Sequence, residues 1–234
     1  FEYIYFARPD SILSGECAYE YRKRLGEELA KESNVRADIV VPVPDSGVPA
    51  AIGYSQSSNT KFELGLIRNH YVGRTFIEPT QNIRSLGVKL KLSSTKTIVK
   101  NKSIILIDDS LVRGTTCHKI VKMLYESGAK EVHVRIACPE IKFPDYYGVD
   151  MPTKEELLAY KKSNKEMCEH IKAKSLKFLS LEGMYKALLG EKRNNAYPQF
   201  SDHYFTGDYP IKPDDNIKGL QVKQLSLLSG KSNN

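Results

Sequence analysis

The stretch from Ile104 to Thr116 constrains this chain more than any other. Ile104, Ile105, Leu106 and Ile107 form an unbroken aliphatic run, the pattern of a strand covered on both faces. Asp108 and Asp109 follow at its C-terminal end, and then a short loop of small and hydroxyl residues. Cys117, Ile120, Val121 and Leu124 next repeat at i, i+3, i+4 and i+7, one apolar face of a helix. The order is strand, acids, loop, helix. The start of such a helix presents backbone N–H groups with no internal partner, and these bind phosphate. Acids beside a phosphate site hold sugar hydroxyls or a divalent metal. One adjacent acid as a helix cap is ordinary, but two after a buried strand are hard to explain as capping. A nucleotide-binding P-loop is excluded, because its glycine spacing is absent and no lysine follows Gly114.

The rest of the chain reads as further strand and helix units. Ala18, Tyr21, Leu25 and Leu29 mark an amphipathic helix from about residue 16 to 33. Ile39–Val43 is a buried strand, Pro44–Gly47 a tight turn, and 48–57 a helix. Phe62–Leu66 reads as a short strand, Ser103–Ile107 and Val132–Ala137 as strands on either side of the helix after Thr116. Strands alternating with helices predict a parallel sheet in an α/β fold, with ligands at the C-terminal strand ends. Asp45 and the Asp108–Asp109 pair both fall there. Past Cys138 the pattern turns helical. Thr153 with Glu156 and Ser163 with Glu166 form capping boxes that open short helices, and Leu181–Leu189 is another helix. Residues 190–216 are polar and turn-rich, and the last few residues are expected to fray. The opening segment, Phe1–Pro9, alternates like a strand and starts abruptly, so we expect a piece of a longer protein. This organisation predicts three parts: an N-terminal strand and helix over 1–35, a binding core over 36–150, and a helical extension and tail over 151–234.

Charge is concentrated. Between Arg68 and Lys100 there are seven Lys or Arg, at 68, 74, 84, 89, 91, 96 and 100, against the single acid Glu78. That segment holds six of the seven net positive charges of the chain. Its cations alternate with Gly, Thr and Pro in a stretch long enough to close over a ligand, which suits a polyanionic small molecule better than nucleic acid. The four cysteines, at 17, 117, 138 and 168, are scattered, so neither a zinc motif nor a disulfide framework is expected and a reducing, cytoplasmic setting is the default. No apolar run is long enough for a membrane helix, so no membrane partner is expected.

Three segments therefore converge on a phosphorylated, polyanionic ligand: Val41–Gly47, Arg68–Ile77 and Ile104–Thr116. The last of these resembles the phosphoribosylpyrophosphate (PRPP) binding motif of type I phosphoribosyltransferases. Phe1–Ser11, Glu63–Asn69, Tyr71–Phe76, Tyr147–Pro152 and Leu179–Gly183 carry the likeness further, over roughly residues 1 to 210, to the glutamine PRPP amidotransferase family. That resemblance implies the parallel-sheet type I phosphoribosyltransferase fold with a helical C-terminal extension. It implies displacement of pyrophosphate from PRPP by ammonia to give 5-phosphoribosylamine, the first committed step of purine synthesis.

Carried over position by position, the resemblance puts Ser46, Asp108 and Asp109 around Mg2+, with Asp108, Asp109, Arg74 and Lys91 as the catalytic set. Ser110, Leu111, Val112, Arg113, Gly114, Thr115 and Thr116 would take the 5-phosphate. Asp45, Ser46 and Gly47, with Lys91, would face the pyrophosphate, and Arg68, Tyr71, Gly73 and Arg74 would belong to a loop that orders over PRPP. Nucleotide feedback inhibitors and a homo-oligomer are implied as partners. The sequence departs from the family in three respects. The family's glutaminase domain would lie before Phe1, so glutamine hydrolysis is not expected of this chain. Asp145 stands where some members have an iron–sulfur cysteine, and Gln199–Tyr204 lacks the expected cysteine pair, so no cluster is expected. His70 stands where many relatives have arginine. Two alternatives share the acid-pair motif: a salvage phosphoribosyltransferase, which needs a hood for a base, and a PRPP-sensing repressor, which needs a DNA-reading element. Neither feature is evident.

Overall fold

Four parallel strands organise the molecule. In the computed structural model, which describes residues 1–69, 92–149 and 153–211, they stand in the order β3 (Ile39–Pro42), β6 (Ser103–Asp108), β7 (Glu131–Ile136) and β8 (Ser175–Phe178). Val40, Val41, Ile104 to Ile107, Val132, Val134 and Ile136 have no exposed surface, which explains why these strands read as continuous apolar runs. Flanking the sheet are α1 (Ala18–Ser33), α2 (Val48–Ser58), α3 (Lys96–Val99), α4 (Thr115–Glu126), α5 (Leu158–Lys161), α6 (Asn164–Ile171), α7 (Leu181–Leu189) and α8 (His203–Thr206). The chain thus has the parallel sheet with flanking helices that its sequence predicts.

Register sets the site. Ile39 pairs with Ile104 and Pro42 with Ile107, so β3 and β6 end level with each other. The Val43 N–H continues the ladder to the Ile107 carbonyl at 2.8 Å. The turn after β3 and the acids after β6 therefore leave the sheet side by side, at the edge where parallel sheets bind ligands.

Several local readings change. Phe1–Pro9 is not a strand. Residues Glu2–Phe6 form one π-helical turn, and the Arg22 guanidinium takes the carbonyls of Glu2, Tyr3 and Ala7 at 3.2, 3.1 and 2.7 Å. These acceptors are satisfied without a neighbouring strand. Ile12–Leu13 (β1) and Glu16–Cys17 (β2) pair just before α1, so that helix begins at Ala18. Phe62–Leu66 makes a single bridge to Val40, and the strand proper is β4 (Leu66–Arg68), antiparallel to β5 (Leu92–Ser94). The C-terminal extension also supplies a strand: β8 pairs with β7 and completes the sheet. The Glu32 carboxylate in α1 accepts from the Ser180 N–H at 2.8 Å and from its hydroxyl at 2.5 Å, so the extension is hooked to the first helix. Both capping boxes are present, at Thr153 with Glu156 and at Ser163 with Glu166. The first opens only a 3-10 turn, Lys154–Glu156.

Helices α1 and α2 touch through glycines. A Cβ built on Gly26 would lie 1.9 Å from the Ala50 carbonyl oxygen, and one on Gly53 would lie 1.9 Å from that of Lys23. Only hydrogen fits at either point. Gly26→Ala should force the helices apart and lower stability by about 1–3 kcal/mol, the usual cost of overpacking. A thermal melt with the parent's midpoint would contradict this packing.

Candidate active site

Asp108 ends β6 and Asp109 begins the loop after it. The Asp109 N–H donates to the Asp108 carboxylate at 3.0 Å. Asp109 is 6 % exposed; its carboxylate accepts from the Ser110 hydroxyl, and the Ser46 hydroxyl lies close to it. Burial pushes the Asp108 carboxyl well above the usual carboxylate range, and the charge of Asp109 adds to the effect. Burial also raises Asp109, while the two hydroxyls and the charge of Arg22 work in the opposite direction. Ionising this pair is costly until something cationic or hydrogen-bonding joins it.

Next to the acids, Gly114 takes φ 76 as the cap of α4, and no side chain caps that helix. The first N–H groups of α4 are left for a ligand. Asp108 and the residues from Ser110 to Cys117 line a cavity of about 220 Å³ there. Cys117 belongs to its wall, but burial raises the thiol strongly, so it is no thiolate nucleophile. Of the loop residues, Leu111 turns its side chain into the core, and Arg113 turns its guanidinium outward to Glu156 at 3.2 and 3.4 Å. What Leu111, Val112 and Arg113 can offer a phosphate is therefore their main chain.

The second wall is the turn after β3. Gly47 N–H closes it on the Val43 carbonyl at 2.9 Å. A Cβ on Gly47 would come within 2.6 Å of the Ile107 carbonyl oxygen, so a glycine lets the turn lie against β6. The Pro44–Asp45 peptide is cis. Arg68, at the end of β4, donates to the Asp45 carboxylate at 2.9 Å, and both side chains are more than half exposed. A larger cavity of about 450 Å³ opens between this turn and the Tyr5–Pro9 segment, with Arg22 and Arg68 in its wall.

The fold thus brings together Asp45, Ser46, Gly47, Arg68, Asp108, Asp109, Ser110 and the loop through Thr116. Tyr71, Gly73, Arg74, Lys91 and His70 lie outside the described residues. Sequence reasoning missed Arg22 and the Tyr5–Pro9 wall. A signal existed for Arg22: it adjoins Tyr21 and lies three positions before Leu25, on the stripe that α1 buries, where an arginine needs partners. Asp145 is enclosed by its own partners, the Tyr147 and Val149 N–H groups and His203 Nε2, each at 2.8 Å.

The raised carboxyls fix the sign of a stability effect. The unfolded carboxyls titrate near pH 4, and the folded ones higher, so the folded chain binds extra protons in between. The penalty is absent below the unfolded value and complete above the folded one. Asp108→Asn should raise the thermal midpoint near neutral pH without divalent cations, and the gain should vanish near pH 3. A variant no more stable than its parent at pH 7 would contradict the burial argument.

Comparison with known proteins agrees with this architecture. Residues 17–160 match the family model described as the phosphoribosyl transferase domain. The chain is 56 % identical over 230 residues to the amidophosphoribosyltransferase of Rhizobium etli, covering 98 % of this chain and 46 % of that protein. It is 54 % identical over 188 residues to the amidophosphoribosyltransferase of Methanocaldococcus jannaschii, covering 80 % of this chain and 40 % of that one. Among solved structures, glutamine PRPP amidotransferase from B. subtilis, complexed with ADP and GMP, superposes with a TM-score of 0.83 at 47 % identity, covering 92 % of this chain and 47 % of that chain. The chain spans less than half the length of these relatives. With the domain model matched over β3, β6, β7 and the loops that follow β3 and β6, the chain belongs to the phosphoribosyl transferase domain family.

Proposed function

We propose that the cleft binds PRPP and transfers its phosphoribosyl group to ammonia, releasing pyrophosphate and forming 5-phosphoribosylamine at the start of purine synthesis. The observation that carries this reading is the acid pair beside an uncapped helix start, with Asp108 and the loop from Ser110 to Cys117 lining one small cavity. In it, the main chain of Ser110 to Gly114 and the N–H groups and hydroxyls of Thr115 and Thr116 take the 5-phosphate. Asp108 and Asp109 accept the ribose 2- and 3-hydroxyls. The turn Asp45–Gly47 faces the pyrophosphate. Arg68 meets it by exchanging the exposed Asp45 carboxylate for a stronger anion, which costs little because exposed pairs are weak. Arg74 and Lys91 are the further cations of this proposal.

Cleavage of the C1–O bond leaves positive charge on the ribose and negative charge on the departing pyrophosphate. Cations fixed at the pyrophosphate turn stabilise the transition state more than the ground state, because the charge develops there. Ammonia is already a nucleophile, so no strong general base is required. Magnesium fits the donor set: two neighbouring carboxylates with the Ser46 hydroxyl are hard oxygen donors, and magnesium takes one or two carboxylates together with substrate phosphates. Bound there, it would neutralise charge on the leaving group.

Glutamine as the ammonia source is supported by the name of the B. subtilis relative, and the ADP and GMP in that structure support nucleotides as effectors. Among the described residues no helix is long and apolar enough to cross a membrane. The scattered free cysteines support a reducing, cytoplasmic setting. A homo-oligomer remains part of the proposal on family resemblance alone.

Two outcomes are expected. Asp108→Asn and Asp109→Asn should each lower turnover by about two orders of magnitude or more with the fold intact, measured as pyrophosphate release at saturating magnesium. Parent-like turnover in both would sink the assignment. The 234 residues alone should form phosphoribosylamine from PRPP and ammonium, faster at alkaline pH where free ammonia is abundant, and none from glutamine. Product formed from glutamine would overturn the reading of these residues as the transferase part.

A further inference from the structure

The phosphate loop is gripped from outside by the C-terminal extension. The Leu158 N–H, at the start of α5, donates to the Val112 carbonyl at 2.9 Å. The Arg113 guanidinium makes a two-pronged contact with Glu156. Glu156 is held in turn, since its carboxylate also accepts from the Thr153 N–H at 3.3 Å in the capping box. The Leu158 side chain closes over Gly114: a Cβ on that glycine would meet the leucine methyl at 2.7 Å. Three consecutive loop residues are thus each fixed by the stretch from 156 to 158.

The first contact has a directional consequence. In a planar trans peptide, the carbonyl of one residue and the N–H of the next point in opposite directions. The Val112 carbonyl is turned outward to Leu158, which is not part of the cavity wall. The Arg113 N–H therefore points away from Leu158, and Val112 and Arg113 both line the cavity with the start of α4. The Arg113–Glu156 contact draws the long side chain away from that cavity. Together these leave a ring of main-chain donors rather than a flexible cation at the phosphate end, a preorganised arrangement.

We propose that Glu156 and Leu158 are positioning residues for the 5-phosphate: they set the orientation of the Val112–Arg113 peptide and so the affinity for the phosphorylated ribose. The inference rests on the PRPP reading of the cleft. Neither residue touches the substrate, and both act through the loop.

Position 158 allows a clean test. It is the first residue of α5, where proline is tolerated, and Leu157 before it has φ −71 and ψ 120, a conformation that proline accepts as its predecessor. Leu158→Pro removes the N–H. Leu158→Ala keeps the N–H and loses the side chain. Both are compared with the parent for circular dichroism, PRPP affinity by calorimetry with magnesium, and steady-state KM and kcat with ammonium. Leu158→Pro should raise KM for PRPP about tenfold over Leu158→Ala, with kcat changed less than about twofold, because uniform binding is lost and transition-state contacts are kept. Glu156→Gln, an exposed change that spares the fold, should raise KM about threefold, and Arg113→Glu combined with Glu156→Arg should recover most of the loss caused by either alone. A merely structural role would lower the melting midpoint without splitting KM from kcat. Proline and alanine variants of equal KM, or a Glu156→Gln variant with the parent's KM, would overturn the inference and leave the PRPP reading standing. A parent chain that binds no PRPP would overturn both.

Discussion

Two adjacent carboxylates, Asp109 buried and Asp108 half-buried, at the end of a strand covered from Ile104 to Ile107 are the constraint on which the structure turns. Their placement needs β6 covered on both faces, hence an apolar run through Ile107 and a parallel sheet with helices around it. It needs neighbours that tolerate anions: the hydroxyls of Ser46 and Ser110 and the buried Arg22 supply that tolerance, but they leave both acids harder to ionise than free carboxylates. Ionised, the pair is costly to the fold by itself, and that cost falls when hydrogen-bond donors or positive charge join it. Local destabilisation of this kind is common where a fold has been shaped for binding.

Much of this was legible in the sequence where the signal is local. A strand, an acid pair, a loop and a helix follow one another between Ser103 and Glu126, and each is encoded within a few residues of itself. The capping boxes were readable for the same reason. What escaped depends on distant partners. The π-turn at Glu2–Phe6 exists because Arg22 satisfies its carbonyls. β4 lies at Leu66–Arg68 because Leu92–Ser94 pairs with it across a long connection. β8 is a four-residue stretch with one fully covered side chain, Leu176, too short to show a period. The pyrophosphate cations expected at Arg74 and Lys91 fall outside the described residues, so that part of the site rests on sequence alone.

The C-terminal extension is more than an appendage. It adds the fourth strand, hooks α1 through Glu32 and Ser180, and grips the loop after β6 through Glu156 and Leu158. The N-terminal segment walls the other side of the cleft through Arg22. The site is therefore assembled from three separated stretches. This explains how a loop without a lysine, as in a P-loop, still presents an ordered set of donors: its conformation is enforced from behind.

The central claim is that the acid pair and the uncapped helix start bind opposite ends of one phosphorylated sugar. Crystallography of the chain with PRPP and magnesium tests it most directly. The account predicts the 5-phosphate against the main chain of Ser110 to Thr116 and the ribose diol on Asp108 and Asp109, with the pyrophosphate at the Asp45–Gly47 turn. A 5-phosphate bound away from the start of α4, or a ribose that does not contact the acid pair, would contradict it.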